Sequence, residues 1–537
     1  MLNFQESYTF YRIKLTIQRT LLTALCIFVY STASQAQPVN TNKTKHIPIL
    51  LKHAFGVNAF EWDFENEKDP SKIDNERLEG MKSFTAIRHY MDWEKLEQEE
   101  ARYSFNPTLS GGWNYDAMYE ACKANGIDVL ACLKTIPKWM VNTYPAGEAD
   151  QDNVPVRHGK DFADPKSYIE QAKVAFQYAA RYGSNKNIDA SLLSVDNRPR
   201  WANDQVNTIK TGLGLIRYIE CDNERDKWWK GPRAYQSGRH YAANLSAFYD
   251  GHKNTMGPGV GIKNADPTIQ VVMGGLAKPD TAYVVEMIKW CKENRGYRAD
   301  GSVNLCWDVI NYHLYSDDDE STQGVKATRG MAPERSAADS IANNFMKMSA
   351  KHAGGIPVWM SETGYDVDQR SPLRAIPIGK KTALETQADW ILRSALLYMR
   401  HGVSRVFLYQ TYDENIESGG RFSSSGLLTK DRTRKPAADY IYQANKLMGN
   451  YAYKSALAKS PLVDEYELNG KSAYVLVKPS EDGSTTSYIL PLKGIKQANI
   501  YYPSAGKDEM RKEQAKVING KLQLTVTETP IFVMPVK

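Results

Sequence analysis

Short apolar runs rich in β-branched and aromatic residues recur along the chain at 54–60, 84–90, 127–134, 215–221, 269–275, 307–313, 357–361 and 405–410. Runs of this length, bounded by polar segments, read as strands buried on both faces. Between them the spacing changes to that of amphipathic helices, for example at 280–296, 336–354 and 386–402, each closing on a glycine that favours a helix stop. Eight alternating units predict an α/β fold, a (β/α)8 TIM barrel, in which catalytic residues sit at the carboxyl ends of the strands. An open doubly wound sheet is the rival, but no Gly-x-Gly-x-x-Gly follows an early strand to support it.

Two connections are long: residues 181–214 and 314–335 are rich in Asn, Asp, Gly, Ser and Arg. On a barrel the segment after the sixth strand would wall the cleft. Past residue 450 the pattern shortens to alternating runs at 462–468, 473–478, 487–492, 499–502, 521–526 and 531–534. These predict an accessory antiparallel β-sandwich over 451–537, following a barrel over 37–450.

Residues 1–36 read as an export signal. Arg12, Lys14 and Arg19 precede an apolar run at 21–30, and Ser34-Gln35-Ala36 offers small residues for cleavage before Gln37. Cys26 lies inside the apolar run and reads as part of the signal. The expected location is therefore periplasmic or secreted, with no membrane span, since no later run is apolar for long enough. The 537 residues carry a net charge of +6 from 68 bases and 62 acids, a near balance that argues against nucleic acid as a partner. The remaining cysteines, Cys122, Cys132, Cys221, Cys291 and Cys306, form no disulfide framework, although Cys291 and Cys306 could pair after export. No spacing suggests a metal, and no cofactor is implied. The acidic run Asp317-Asp318-Asp319-Glu320 lacks the glycine and terminal glutamate of a calcium loop and reads as a solvated loop.

The candidate chemistry rests on two glutamates that close predicted strands, Glu224 on the fourth and Glu362 on the seventh. Two carboxyls facing each other across a cleft are the minimum equipment for hydrolysing a glycosidic bond. One must be protonated to assist the leaving group, and the other ionised to attack or to activate water. Asn223, directly before Glu224, could hydrogen-bond a sugar 2-hydroxyl. Glu224, among apolar and like-charged neighbours, would hold its proton.

Glu220-Cys221-Asp222-Asn223-Glu224, followed by Asp226, resembles the Glu-x-x-Asn-Glu-Pro-Asp motif on the fourth strand of the clan A glycoside hydrolases. That resemblance implies a retaining enzyme on a (β/α)8 scaffold, with Glu224 as acid/base and Glu362, in Ser361-Glu362-Thr363-Gly364-Tyr365, as nucleophile. It also implies that Arg88 keeps the nucleophile ionised, and that Tyr315, in His313-Leu314-Tyr315, hydrogen-bonds it. Thr135-Ile136-Pro137-Lys138-Trp139, Gly426-Leu427 and Lys435-Pro436 are similar to members near family 39; family 5-like members share the scaffold. Two positions depart from the pattern. Arg225 stands where proline is usual, and the eighth strand ends in Tyr409-Gln410-Thr411-Tyr412 without the common tryptophan, leaving Tyr409 as the aromatic candidate there.

Trp62, Trp93, Trp139, Trp228 and Trp229 follow predicted strands, where indoles could stack on the apolar faces of sugar rings. Of these, Trp62, Trp139, Trp228 and Trp229 are the candidates for substrate contact. The expected function is cleavage of a β-linked polysaccharide or oligosaccharide by double displacement, endo-acting. An exo-acting β-glycosidase of xylosidase type, or a non-catalytic carbohydrate-binding protein on a degenerate barrel, are the alternatives.

Overall fold

The computed structural model describes residues 48–69, 72–108, 111–201, 206–319 and 326–536. The expected export signal with Cys26, its cleavage point, and Glu320 lie outside these residues. Ile49–Lys537 forms one compact unit.

Eight parallel strands build the barrel: β1 Gly56–Ala59, β2 Ala86–Asp92, β3 Asp128–Lys134, β4 Tyr218–Cys221, β5 Gln270–Met273, β6 Ile310–His313, β7 Val358–Thr363 and β8 Arg405–Leu408. Their order is β5-β4-β3-β2-β1-β8-β7-β6. Single parallel bridges, Val272 to Val309 and Leu276 to Tyr312, close the remaining seam between β5 and β6. The closed barrel excludes the doubly wound sheet.

One long helix follows each strand: α1 Asn75–Met81, α2 Tyr115–Ala124, α3 Ile169–Tyr182, α4 Gly238–Asn254, α5 Thr281–Asn294, α6 Ala338–His352, α7 Ala383–Arg400 and α8 Pro436–Met448. Five of the eight starts are capped by side chains that occupy otherwise unpaired N–H groups. Asp74 accepts from Glu76 and Arg77 N–H, Asn114 from Ala117, Ser237 from His240 and Asp280 from Ala282. Thr382 and Glu385 form a reciprocal capping box, which starts α7 at Ala383, three residues before the predicted helix.

The barrel interior is layered because residues two apart on a strand share a face. Near the amino ends of the strands, Ala86, Leu130, Val272, Val309, Trp359 and Phe407 form an apolar plug. Gly56 makes room for it, since a β-carbon there would lie 2.5 Å from the Phe407 ring. One step up the barrel, Arg88, Cys132, Glu220, Asn311 and Ser361 point inward in place of apolar residues, all buried. The polar layer therefore stands on an apolar floor.

Beyond α8 the chain forms eight antiparallel strands: β9 Ala452–Lys459, β10 Leu462–Leu468, β11 Lys471–Val477, β12 Thr486–Pro491, β13 Gln497–Tyr502, β14 Arg511–Lys516, β15 Lys521–Val526 and β16 Ile531–Val536. Six pair in the order β14-β13-β16-β11-β10-β9, and β12 pairs with β15. Val463, Leu476, Ile500, Ile531 and Val533 of the larger sheet pack against Leu490, Leu522, Leu524 and Val526 of the smaller one. The sequence pattern missed β9 and β14. Both are edges of the six-stranded sheet, and β14, Arg511-Lys512-Glu513-Gln514-Ala515-Lys516, is almost wholly exposed. Charge on an edge strand discourages further pairing but erases apolar alternation.

Among the described residues no helix is long and apolar enough to cross a membrane. All five described cysteines are buried free thiols, with Cys291 Sγ 3.7 Å from Cys306 Sγ.

Candidate active site

Arg88 is the hub of the polar layer. It lies within β2 and not at its end, is fully buried, and distributes its donors among five partners on other strands or loops and one on its own. Nε donates to Glu220 Oε2 (2.6 Å) and Nη2 to Glu220 Oε1 (3.1 Å), a bidentate pair inside the barrel. Nη1 donates to Glu362 Oε1 (2.7 Å), Tyr90 Oη (2.8 Å) and Asn58 Oδ1 (3.1 Å). Nη2 also reaches Asn223 Oδ1 (2.7 Å) and Cys132 Sγ (3.5 Å). The arginine expected to serve the seventh-strand glutamate thus also ties together the second, fourth and seventh strands.

Glu362 sits inside β7, one residue before its end, and is 6% exposed. The β6–β7 register pairs Tyr312 with Met360 and then His313 with Glu362, skipping Ser361. This irregularity lets consecutive residues both reach the interior. Ser361 Oγ meets Asn311 Nδ2 at 2.7 Å and His313 Nε2 at 2.9 Å. Glu362 Oε1 accepts from Arg88 and the Tyr90 hydroxyl, and Oε2 accepts from the Tyr315 hydroxyl (3.0 Å). Burial alone would push this carboxyl up. The charges of His313 and Arg88, with the hydrogen bonds from Tyr90 and Arg88, outweigh it and hold Glu362 below its ordinary value.

Glu224 lies past the end of β4, in the left-handed region at φ 50°, as does Asp222 at φ 66°. Such backbone in non-glycine residues persists only where neighbours enforce it. Here Glu224 N donates to Gly275 O (3.1 Å), and Asp226 accepts from Ala277 N (3.0 Å) and Lys278 N (2.8 Å), pinning the loop to the one after β5. Arg225, in the position where proline was expected, is buried. It donates to the carbonyls of Asp152 (2.7 Å) and Asn153 (3.2 Å), fastening the same loop to the β3 side. The Glu224 carboxyl, with 20% of its side chain exposed, meets His313 Nδ1 at 2.8 Å. Its hydrogen-bond partner is therefore an imidazole; of the apolar and like-charged neighbours expected, the like-charged one is Glu362, with an oxygen of each within 4.8 Å of the other.

His313 links the two acids, with Nδ1 2.8 Å from Glu224 Oε1 and 3.6 Å from Glu362 Oε2. Burial lowers its affinity for a proton, but the Glu362 charge and the bond to Glu224 outweigh burial and raise its pKa above the ordinary value. Gly275 supplies the space for the ring, since any β-carbon there would overlap His313 Nε2. One ligand-type atom each of Glu224, His313 and Glu362 lie within 4.8 Å of one another. A cation could in principle use them, but all three already bond one another or Arg88, which places a positive charge beside the spot.

The predicted site residues Glu224, Glu362, Arg88, Asn223, His313 and Tyr315 are brought together. Asn223 has its Oδ1 fixed by Arg88, and among the described residues its Nδ2 has no protein acceptor. Tyr409 joins them, its ring centroid 6.5 Å from that of Tyr315, and Phe422 stands 4.8 Å and 5.4 Å from the two. Trp62 connects to the cluster by stacking: Tyr90 on Phe60 (5.3 Å), and Phe60 on Trp62 (4.4 Å). Trp228 and Trp229 are 43% and 52% exposed on the loop that carries Glu224 and pack edge to face. Trp139 is set apart: its Nε1 donates to Glu97 O (3.0 Å), and its ring packs on Trp93 and Arg157.

Tyr90, Glu220, Asn311, Asn58 and Phe422 join the cluster without a role read from sequence. Tyr90 and Asn311 had a signal available: they lie two residues from Arg88 and His313 on the same strands, hence on the same face. Phe422 comes from the loop after β8 and had none.

No protein-family model matches the chain, and no curated protein matches its sequence. Solved structures do share its fold. A family 39 glycoside hydrolase from the gut symbiont Bacteroides cellulosilyticus superposes with a TM-score of 0.59 at 17% identity, over 91% of this chain and 82% of that one. A family 30 subfamily 8 xylanase from Clostridium acetobutylicum gives 0.52 at 12% identity, over 90% and 96%. A glucosidase from Croceicoccus marinus gives 0.52 at 10%, over 91% and 97%. The strand-end motifs that resemble clan A thus sit on the fold of solved glycoside hydrolases, with no single family assigned.

Proposed function

We propose that this protein is an exported retaining glycoside hydrolase that cleaves a β-linked polysaccharide or oligosaccharide, acting within the chain. The observation that carries the reading is the pairing of two glutamates, with an oxygen of each within 4.8 Å, in contrasting environments. So short a gap suits direct attack by one carboxylate and leaves no space for the water that an inverting pair activates between carboxyls about 6.5–9.5 Å apart.

Glu362, ionised and held by Arg88, Tyr90 and Tyr315, attacks the anomeric carbon as Glu224 gives its proton to the departing glycosidic oxygen. The carbon–oxygen bond breaks and a glycosyl ester forms on Glu362. Glu224 then takes a proton from water, whose oxygen displaces Glu362 from the same face that the leaving group had occupied. Asn223 Nδ2 offers a donor for the 2-hydroxyl of the reacting sugar. Trp228 and Trp229, beyond Glu224, suit the leaving-group side, and the Tyr90–Phe60–Trp62 stack offers a second apolar face. Aromatic surfaces in two places support a long cleft and endo action.

The test is a panel of soluble polysaccharides and aryl glycosides given to the purified protein, with product sizes read out and Glu362→Gln run beside it. Mixed oligosaccharides from the parent, and none from the variant, are expected. Monosaccharide alone would replace endo with exo action. Sugar binding without any release of reducing ends would make the protein a binder.

A further inference from the structure

We propose that Glu481, on the turn between β11 and β12 of the C-terminal β-domain, is a positioning residue for the nucleophile. It latches the β6–α6 loop so that Tyr315 stays on Glu362. This deepens the hydrolase reading and rests on it for the catalytic consequence, though not for the latch itself.

Tyr315 lies two residues past His313, where β6 ends; Leu314 N donates to Glu362 O (3.1 Å), and from Tyr315 onward the backbone has left the strand. Its position depends on how the loop that follows returns to the barrel. The outgoing arm, Ser316 and Asp317, pairs with a returning arm at 329–332. Met331 N donates to Ser316 O (2.9 Å), Gly330 bridges Asp317, and Ser336 Oγ donates to Ser316 Oγ (2.9 Å). The returning arm is in turn gripped from the β-domain. Glu481 Oε1 accepts from Ala332 N (2.5 Å) and Oε2 from Arg329 Nη2 (3.0 Å), with Arg335 Nε 4.0 Å away. The Glu481 side chain is only 9% exposed, so these bonds are little screened by water.

The grip is itself rigid. Glu528, 2% exposed, accepts from Asp482 N (2.7 Å), Gly483 N (2.9 Å) and Ser480 Oγ (2.9 Å), which fixes the turn that presents Glu481. Arg393 on α7 donates to Ser480 O (3.1 Å) and pairs with Glu334 at 2.6 Å, tying turn, loop and barrel helix into one knot. Asp317 also pairs with Arg421 (2.7 Å), next to the Phe422 ring that lies against Tyr315. A chain of polar contacts therefore runs from the β-domain turn through residues 329–332 to 316–317; Tyr315 precedes these in the backbone, packs on the Phe422 ring, and ends with its hydroxyl 3.0 Å from Glu362 Oε2.

The experiment is a double-mutant cycle between Glu481→Ala and Tyr315→Phe, with hydrogen exchange on the same proteins. If Glu481 acts through Tyr315, each single change lowers kcat/KM by about tenfold, and the pair falls no further than Tyr315→Phe alone. Both single variants move the acid limb of the rate profile to higher pH, since each weakens a hydrogen bond to the Glu362 carboxylate. The other groups that face Glu362 are Arg88, Tyr90, Glu224, His313 and Tyr409, and all are untouched. Glu481→Gln, which keeps an acceptor for Ala332 N–H, restores part of the loss and serves if the alanine variant folds poorly. Losses that multiply in the double variant, or an unmoved acid limb in Glu481→Ala, would overturn the role. Exchange needs no substrate: the amides of Met331 and Ala332 should lose protection in Glu481→Ala while those of β10 and β11 keep theirs. Unchanged protection would overturn the latch. A parent protein inactive on every sugar tested would instead count against the hydrolase reading.

Discussion

Glu362 and Glu224 are the same residue type within a few ångströms of each other, and almost everything around them differs. Glu362 stands on a strand above an apolar floor, takes hydrogen bonds from Arg88, Tyr90 and Tyr315, and has 8% of its side chain exposed. Glu224 stands on a loop with left-handed backbone, has His313 as its side-chain partner, and has 20% of its side chain open. A carboxyl surrounded by fixed donors is suited to staying ionised and bonding to carbon. One with a single partner and an open side is suited to exchanging a proton with substrate and then with water. Environment, and not residue identity, distinguishes the two carboxyls.

The contrast is broken most directly at the acids themselves. Glu362→Gln removes the proposed nucleophile and should cut kcat by roughly 10⁴-fold or more on every substrate. Glu224→Gln should cost about 10²–10⁴-fold on natural glycosides but far less in the first step of aryl glycosides whose leaving group needs no proton. Equal losses on both substrate types for both variants would erase the distinction. Arg88→Ala should destabilise the fold by about 3–5 kcal/mol in denaturant titration, because it leaves Glu220 and Glu362 buried without their cation. A cost near that of a surface change would mean that the hub is dispensable.

Glu362 is held below its ordinary value of 4.5. Activity should therefore persist as pH falls to that value and fade only below it, since protonation of Glu362 is what ends it. Tyr90→Phe removes one donor to the ionised form and should move that limb upward, with a loss in kcat/KM of about tenfold. Trp228→Ala should have the least effect on chemistry: KM for a long oligosaccharide rises several-fold, by about 1 kcal/mol of lost stacking, with kcat for a short aryl glycoside unchanged.

Much of this arrangement was legible in the sequence. All eight barrel strands follow from short apolar runs, because strands buried on both faces carry an unbroken signal. The positions of Arg88, Asn223, His313 and Tyr315 followed from their resemblance to a motif set. What escaped has physical reasons. Glu220 reads as one acid among many until the barrel closes and sets it against Arg88. Phe422 and Glu481 reach the site or its loop from turns far along the chain, where only tertiary packing decides the outcome. Strands β9 and β14 lie at sheet edges and carry polar residues on both faces, so they show no alternation to detect.

A covalent glycosyl intermediate on Glu362 would fix the anomeric form of the first product. Proton NMR during the earliest phase of hydrolysis, before mutarotation, should show the new reducing end in the same configuration as the bond that was cut. An inverted anomer appearing first would contradict a double displacement at this pair of glutamates.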